Sequence, residues 1–152
     1  MRPRNSGIAP LVAIILIIAL IGATIYIAQL FSPKPPIEVA YSLEPSTIKE
    51  GERSQLTLTF NNIALRTHEI EIVFDISHRI SIYEGSERLL RENTYSFVLE
   101  ATDPSEQRVF TVSGSLEAGT LSSQYPIAFR VFVDGNDLRK TWGDPILTVQ
   151  KP

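Results

Sequence analysis

The chain has 152 residues, 14 Lys and Arg against 17 Asp and Glu, a net charge of −3, two histidines and no cysteine. The acidic balance argues against nucleic acid as a partner. The lack of cysteine excludes a disulfide framework, so any folded part must stand on its apolar core.

The first predicted element is a helix. No charged side chain occurs from Asn5 to Pro33, and the apolar run extends from Ile8 to Phe31. A bilayer core of ~30 Å takes ~20 helical residues, which this run exceeds. A secretory signal core of ~7–15 residues is too short to match it, and a small-x-small cleavage site is missing before Gln29. A buried core helix would show a polar face. The stretch therefore predicts a retained transmembrane helix over 7–31, with Ile8 and Phe31 as its ends, behind a basic leader over 1–6. Arg2 and Arg4 precede it, and Lys34 alone follows closely. The positive-inside rule then leaves the N-terminus in the cytoplasm and everything after Phe31 outside it, at the cell membrane.

The stretch Ser6-Gly7-Ile8-Ala9-Pro10-Leu11-Val12-Ala13 is similar to the N-termini of archaeal type IV pilin-like proteins. There a basic leader ends in glycine and a small-Pro-apolar sequence opens the helix. The resemblance implies processing between Gly7 and Ile8. Ser6 stands where that family usually has a basic residue, and Val12 where many bacterial pilins carry glutamate.

A linker over 32–36 follows, with Pro33, Pro35 and Pro36 in four residues. Proline lacks the amide donor and restricts its predecessor, so the helix stops here. At ~3.1 Å per residue, the next domain stands only ~15 Å from the membrane.

From residue 37 to 152 the pattern alternates. Ile37, Val39, Tyr41 and Leu43 share one face. So do Leu56, Leu58 and Phe60, then Ile70, Ile72, Phe74 and Ile76, then Tyr95, Phe97 and Leu99, then Ile127, Phe129, Val131 and Val133. Period two with one polar face predicts half-buried strands. Weaker strands are expected at Arg79–Tyr83, Arg108–Val112 and Pro145–Gln150. Turns are expected at Pro45-Ser46, Glu50-Gly51-Glu52, Glu84-Gly85-Ser86, Asp103-Pro104-Ser105 and Asp134-Gly135-Asn136. In these, Gly supplies positive φ and Asp, Asn and Ser bond their own backbone. The fold class predicted is all-β, an antiparallel immunoglobulin-like β-sandwich of 7–8 strands preceded by one N-terminal transmembrane α-helix.

Leu43 to Glu52, followed by Gln55-Leu56-Thr57-Leu58-Thr59-Phe60-Asn61-Asn62, resembles the first two strands of CARDB-type immunoglobulin-like domains. Tyr125 to Val133 and Ile146 to Val149 fit the closing strands of the same scheme. The resemblance implies an adhesion or spacer module and assigns no catalytic residue.

Chemistry is sparse. His68 and His78 stand ten apart at the two ends of one strand, ~30 Å of extended chain, and read as exposed strand-end histidines rather than metal ligands. Asp134-Gly135-Asn136-Asp137 lacks the glycine and glutamate spacing of a calcium loop and reads as a hairpin turn. Ser86 and Ser115 follow glycines without a nucleophile elbow. No catalytic residue, metal or cofactor is expected.

What remains is surface. Trp142 and Phe132 are the candidate partner anchors, aromatic residues being favoured at interfaces. Phe132 is expected on the outer face of its strand, joined by outward residues of neighbouring strands in an apolar patch. Trp142 is expected in an end loop, either exposed or folded back onto the core. Tyr83 is a third aromatic that a carbohydrate-binding face could use. Three functions follow. The first is a non-catalytic anchored surface protein gripping another envelope protein, such as a surface-layer or filament component; the pilin resemblance makes an archaellum stator one such role. The second is a pilin-like subunit polymerising through its helix, with a homo-oligomer left open. The third is an accessory carbohydrate-binding module or subunit of a membrane enzyme.

Overall fold

The computed structural model describes residues 35–85, 87–88 and 93–152, together with positions 14, 17–21 and 23. The chain divides into two compact units, Met1–Lys34 and Pro35–Pro152. In the first, the described positions are helical, and Ile14, Ile17, Ile18, Leu20 and Ile21 are exposed. Among the described residues no helix is long and apolar enough to cross a membrane. Apart from those positions, the expected span lies outside the described residues, as do its ends Ile8 and Phe31 and the processing pair Gly7 and Ile8.

The second unit is all-β. Its strands are β1 (Ile37–Glu44), β2 (Thr47–Lys49), β3 (Arg53–Asn62), β4 (His68–Ile76), β5 (Ile80–Glu84), β6 (Glu87–Arg88), β7 (Thr94–Leu99), β8 (Ser105–Gly114), β9 (Ser122–Val133), β10 (Asn136–Asp137) and β11 (Ile146–Gln150). The eight longer strands cover every alternating segment expected; β2, β6 and β10 are short additions. Two sheets form, in the orders β1-β3-β8-β5-β6 and β2-β11-β9-β4-β7, with β10 paired to β9.

The alternation decides which face goes inside. Leu56, Leu58 and Phe60 of β3 are fully buried, as are Ile72 of β4 and Ile127 and Val131 of β9. Edge-to-face aromatic pairs bridge the sheets: Phe74 to Phe110 at 5.1 Å, Phe60 to Phe97 at 5.2 Å and Tyr95 to Phe110 at 5.3 Å between centroids. Each such pair adds about 0.5–1.5 kcal/mol beyond the area it buries.

One pairing departs from the expected antiparallel plan. β2 runs parallel to β11, with Ile48 opposite Val149. After β1 the chain steps at Pro45-Ser46 from one sheet to the other and continues as β2 along the final strand. The backbone amide of Thr148 donates to Ser46 O, and Glu50 N to Gln150 O. Buried Ser54, at an inward position of β3, donates from Oγ to Pro45 O at 2.7 Å and fixes the crossover.

The Asp134-Gly135 turn forms as read. Both residues have positive φ, 52° and 78°, and Val133 faces Asn136 in register. Two consecutive positive φ values define the two-residue hairpin that matches strand twist, which Asp-Gly adopts at little steric cost.

Candidate partner-binding surface

Along β9 the inward residues Ile127, Phe129, Val131 and Val133 are buried, which turns Ala128, Arg130 and Phe132 outward. Phe132 is thus on the outer face. Its setting differs from the apolar patch expected. In register it lies opposite Glu71 of β4 on one side and Asp137 of β10 on the other. The Arg130 guanidinium sits 5.6 Å from its ring centroid. β4 presents Glu69, Glu71, Val73 and Asp75 on that face, so three of its four outward positions are charged. The ring is a single aromatic residue among charges, covered on one side by a cation.

Of the two positions expected for it, Trp142 takes the one folded back onto the core. Its ring stacks on Phe129, 5.3 Å between centroids and 14° from parallel, and Phe129 in turn contacts Tyr41 and Phe74. An ion pair between Lys140 and Asp144 brackets the loop that carries it. The indole Nε1 is buried without a hydrogen-bond partner. Burying the large ring against the open end of the sandwich outweighs leaving one weak donor unpaired.

The three aromatics do not share a face. Tyr83 points out from β5 of the five-stranded sheet, with the Arg53 guanidinium 5.2 Å from its centroid. Phe132 belongs to the other sheet, and Trp142 is turned in.

His68 differs from the exposed strand-end residue expected; it is 7% exposed. Its Nδ1 lies 2.7 Å from Asp134 Oδ2, while Asp134 Oδ1 accepts from the Glu69 amide at 2.9 Å. These two hydrogen bonds, His68 first, hold the Asp134 carboxyl below the ordinary carboxylate range. Asp134 is thereby a bracket between β4 and the β9–β10 turn. His78 is exposed, and no group of three or more metal-ligating side chains gathers among the described residues. Ser115 donates to Arg79 O, and Ser86 lies outside the described residues.

A charged cluster that sequence reasoning missed lies at the open side of the core. Glu106 and Arg108 occupy the inward parity of β8, in line with buried Phe110 and Val112, and form an ion pair. The Arg108 guanidinium lies 4.3 Å from the Phe97 centroid, with its Nε buried and unpaired. Nearby Tyr95 is pushed up by burial and by its hydrogen bond to Glu84. The phenol stays protonated and donates. The available signal was the period of β8, which sets Glu106 four and Arg108 two residues before Phe110 on one face.

A surface depression occurs where β4 and β7 adjoin, lined by Glu69, Glu71, Ser96 and Val98 on the outer face together with Gly135.

No family model matches the chain. No curated protein matches it either. Among solved structures it is similar to a FixG-related protein from Vibrio parahaemolyticus, at 9% identity over 78% of this chain and 98% of that one, with a TM-score of 0.49. It is similar to the ASH/PapD-like domain of human CEP192 at 15% identity, covering 80% and 91%, with a TM-score of 0.38. It also matches the DNA-bound alkylpurine DNA glycosylase AlkC of Pseudomonas fluorescens at 16% identity and a TM-score of 0.42, covering 76% of this chain and only 31% of that one. At these scores and identities the likenesses carry no argument about activity or partner.

Proposed function

We propose that this chain is a non-catalytic, single-pass membrane-anchored surface protein whose sandwich binds another protein of the cell envelope. The carrying observation is the join between its two units. An uncharged apolar stretch, exposed and helical at its described positions Ile14, Ile17, Ile18, Leu20 and Ile21, leads through a proline linker into a sandwich with its own closed core. Exposed isoleucine and leucine on a helix need an apolar surrounding, which a bilayer supplies.

The sandwich is immunoglobulin-like. The run β1-β3-β8-β5 corresponds to the A-B-E-D sheet of that fold, and β11-β9-β4 to its G-F-C sheet. Supporting a binding rather than a catalytic role, several charged groups of the described residues serve as structural brackets: His68 with Asp134, Arg79 with Glu117, Lys140 with Asp144. The pilin-like resemblance around Gly7 and Ile8 makes an archaeal envelope the natural setting, with a surface-layer or filament component as the partner.

Alkaline carbonate extraction of source membranes, with protease added from outside, tests the anchor. The chain stays with the membrane, and outside protease reaches the sandwich. Mass spectrometry of the extracted protein finds a first residue of Met1 or Ile8. Release into the carbonate wash, or a chain starting near Ser32, overturns the anchor. A start at Ile8 together with recovery from sheared filaments selects the pilin-like subunit instead.

A further inference from the structure

The six-stranded sheet ends at β7, and its outer edge is built differently from the other edges of the sandwich. Phe74 N–H donates to Asn93 O at 2.9 Å just before β7 begins. Bonded pairs alternate along an antiparallel ladder. The register of β4 on β7 therefore makes Ile72–Tyr95, Ile70–Phe97 and His68–Leu99 the bonded pairs. Ser96 and Val98 consequently turn their N–H and C=O groups away from β4, toward the open edge. Among the described residues no strand pairs there.

Exposed edges in natural sheets are blunted by charge, proline, a bulge or short length. β1 carries Glu38 and Glu44, β2 has three residues and β6 has two. β7, reading Thr-Tyr-Ser-Phe-Val-Leu, has six residues, no charge and no proline. It pairs with β4 without interruption from Thr94 to Leu99. Val98 leaves 48% of its surface exposed beside that edge.

Charge decides what the edge accepts. Ser96 lies opposite Glu71 and Val98 opposite Glu69, and both glutamates are exposed. A strand added beside β7 lies two spacings, ~9.6 Å, from β4. A lysine or arginine opposite Ser96 reaches across that small side chain to Glu71. A basic residue opposite Val98 lays its aliphatic stem on that valine and carries its charge toward Glu69. Side chains on the inner side of the added strand lie next to Phe97 and Leu99, where apolar groups fit. A second copy of β7 brings no cation to Glu71, so a basic segment is the better occupant.

We propose that β7 is a docking edge for an extended segment of a partner protein, paired through the Ser96 and Val98 backbone, with basic side chains outward and apolar ones inward. This deepens the reading of the sandwich as a binding module and rests on it, though not on where the chain resides.

The test uses the full chain in detergent, titrated by NMR with two blocked hexapeptides, one alternating valine and lysine, the other valine and glutamate. At low salt the lysine peptide binds about tenfold tighter, and its binding protects the Ser96 and Val98 amides from hydrogen exchange. Glu71→Lys, on the solvent face, lowers the preference for lysine over glutamate about fivefold, the scale of one exposed ion pair. Val98→Pro removes one edge donor and weakens both peptides. Equal affinity for the two peptides, an unchanged preference in Glu71→Lys, or protection along β1 instead overturns the proposal. Self-association abolished by Val98→Pro also overturns it, in favour of a second copy. The titration is indifferent to cellular location. Its failure with a carbonate-resistant chain removes the edge alone, whereas release by carbonate removes the anchor and leaves the peptide result standing.

Discussion

Nδ1 of His68 and Oδ2 of Asp134, 66 residues apart in sequence, meet at 2.7 Å and tie the start of β4 to the β9–β10 turn. The carboxylate is half exposed and the imidazole buried, so the pair holds one side chain at the rim and one inside. Asp134→Asn keeps the positive φ that asparagine tolerates but loses the charge, and costs about 0.5–1 kcal/mol. Asp134→Ala loses both hydrogen bonds and tolerates that φ poorly, so it costs about 1–3 kcal/mol. The Asp134 carboxyl is held below its ordinary value near 3.8. Its contribution is therefore complete above that value and is lost as pH falls through the lowered one. Urea titrations should show the advantage of the natural chain over Asp134→Asn shrinking below about pH 4. A difference that grows on acidification contradicts the bracket.

Trp142 is the chain's one tryptophan, so unfolding can be followed through its own fluorescence. Trp142→Ala exposes Phe129 and removes the stack, at a cost of about 2–4 kcal/mol. Trp142→Phe keeps an aromatic cover and removes the unpaired Nε1 donor, so stability stays within about 1 kcal/mol. Melting of both variants, by circular dichroism, checks the order. Equal melting of Trp142→Ala and the natural chain would return Trp142 to the surface.

Gly114 allows β8 and β11 to close on each other. A Cβ there would stand 2.6 Å from Val149 Cγ2 and 3.2 Å from Ile80 Cδ1. Gly114→Ala should cost about 1–3 kcal/mol by overpacking. Combining it with Val149→Ala opens room for the methyl, so the double variant should be more stable than the sum of the two single losses implies. Strict additivity in chemical denaturation would place Gly114 away from that contact.

Phe132→Ser separates a surface ring from a binding one. Stability should fall by no more than about 1 kcal/mol, the scale of its contact with Arg130. Capture of the envelope partner should weaken about tenfold to a hundredfold, as loss of ~1.5–3 kcal/mol of phenyl burial implies. Unchanged capture at unchanged melting removes Phe132 from the interface.

Alternation placed five of the eight longer strands, and left β5, β8 and β11 as weaker strands, because a half-buried strand writes its two faces into neighbouring residues. The Asp134-Gly135 hairpin was equally legible, since positive φ is a demand on the residue itself. Other features depended on contacts far along the chain. Thr47–Lys49 is too short to show a period, and only the position of β11 makes it a parallel strand. Glu106 and Arg108 look like an interrupted apolar face until Phe97 supplies a ring for the guanidinium. Their ion pair then makes the inward position tolerable. His68 reads as polar and exposed until Asp134 arrives from the far side of the sequence. Trp142 had two destinations, an exposed end loop or a fold back onto the core, and the space over Phe129 gave it the second. Periodicity is a local quantity, whereas burial of a polar or aromatic side chain depends on which partner the tertiary fold brings to it.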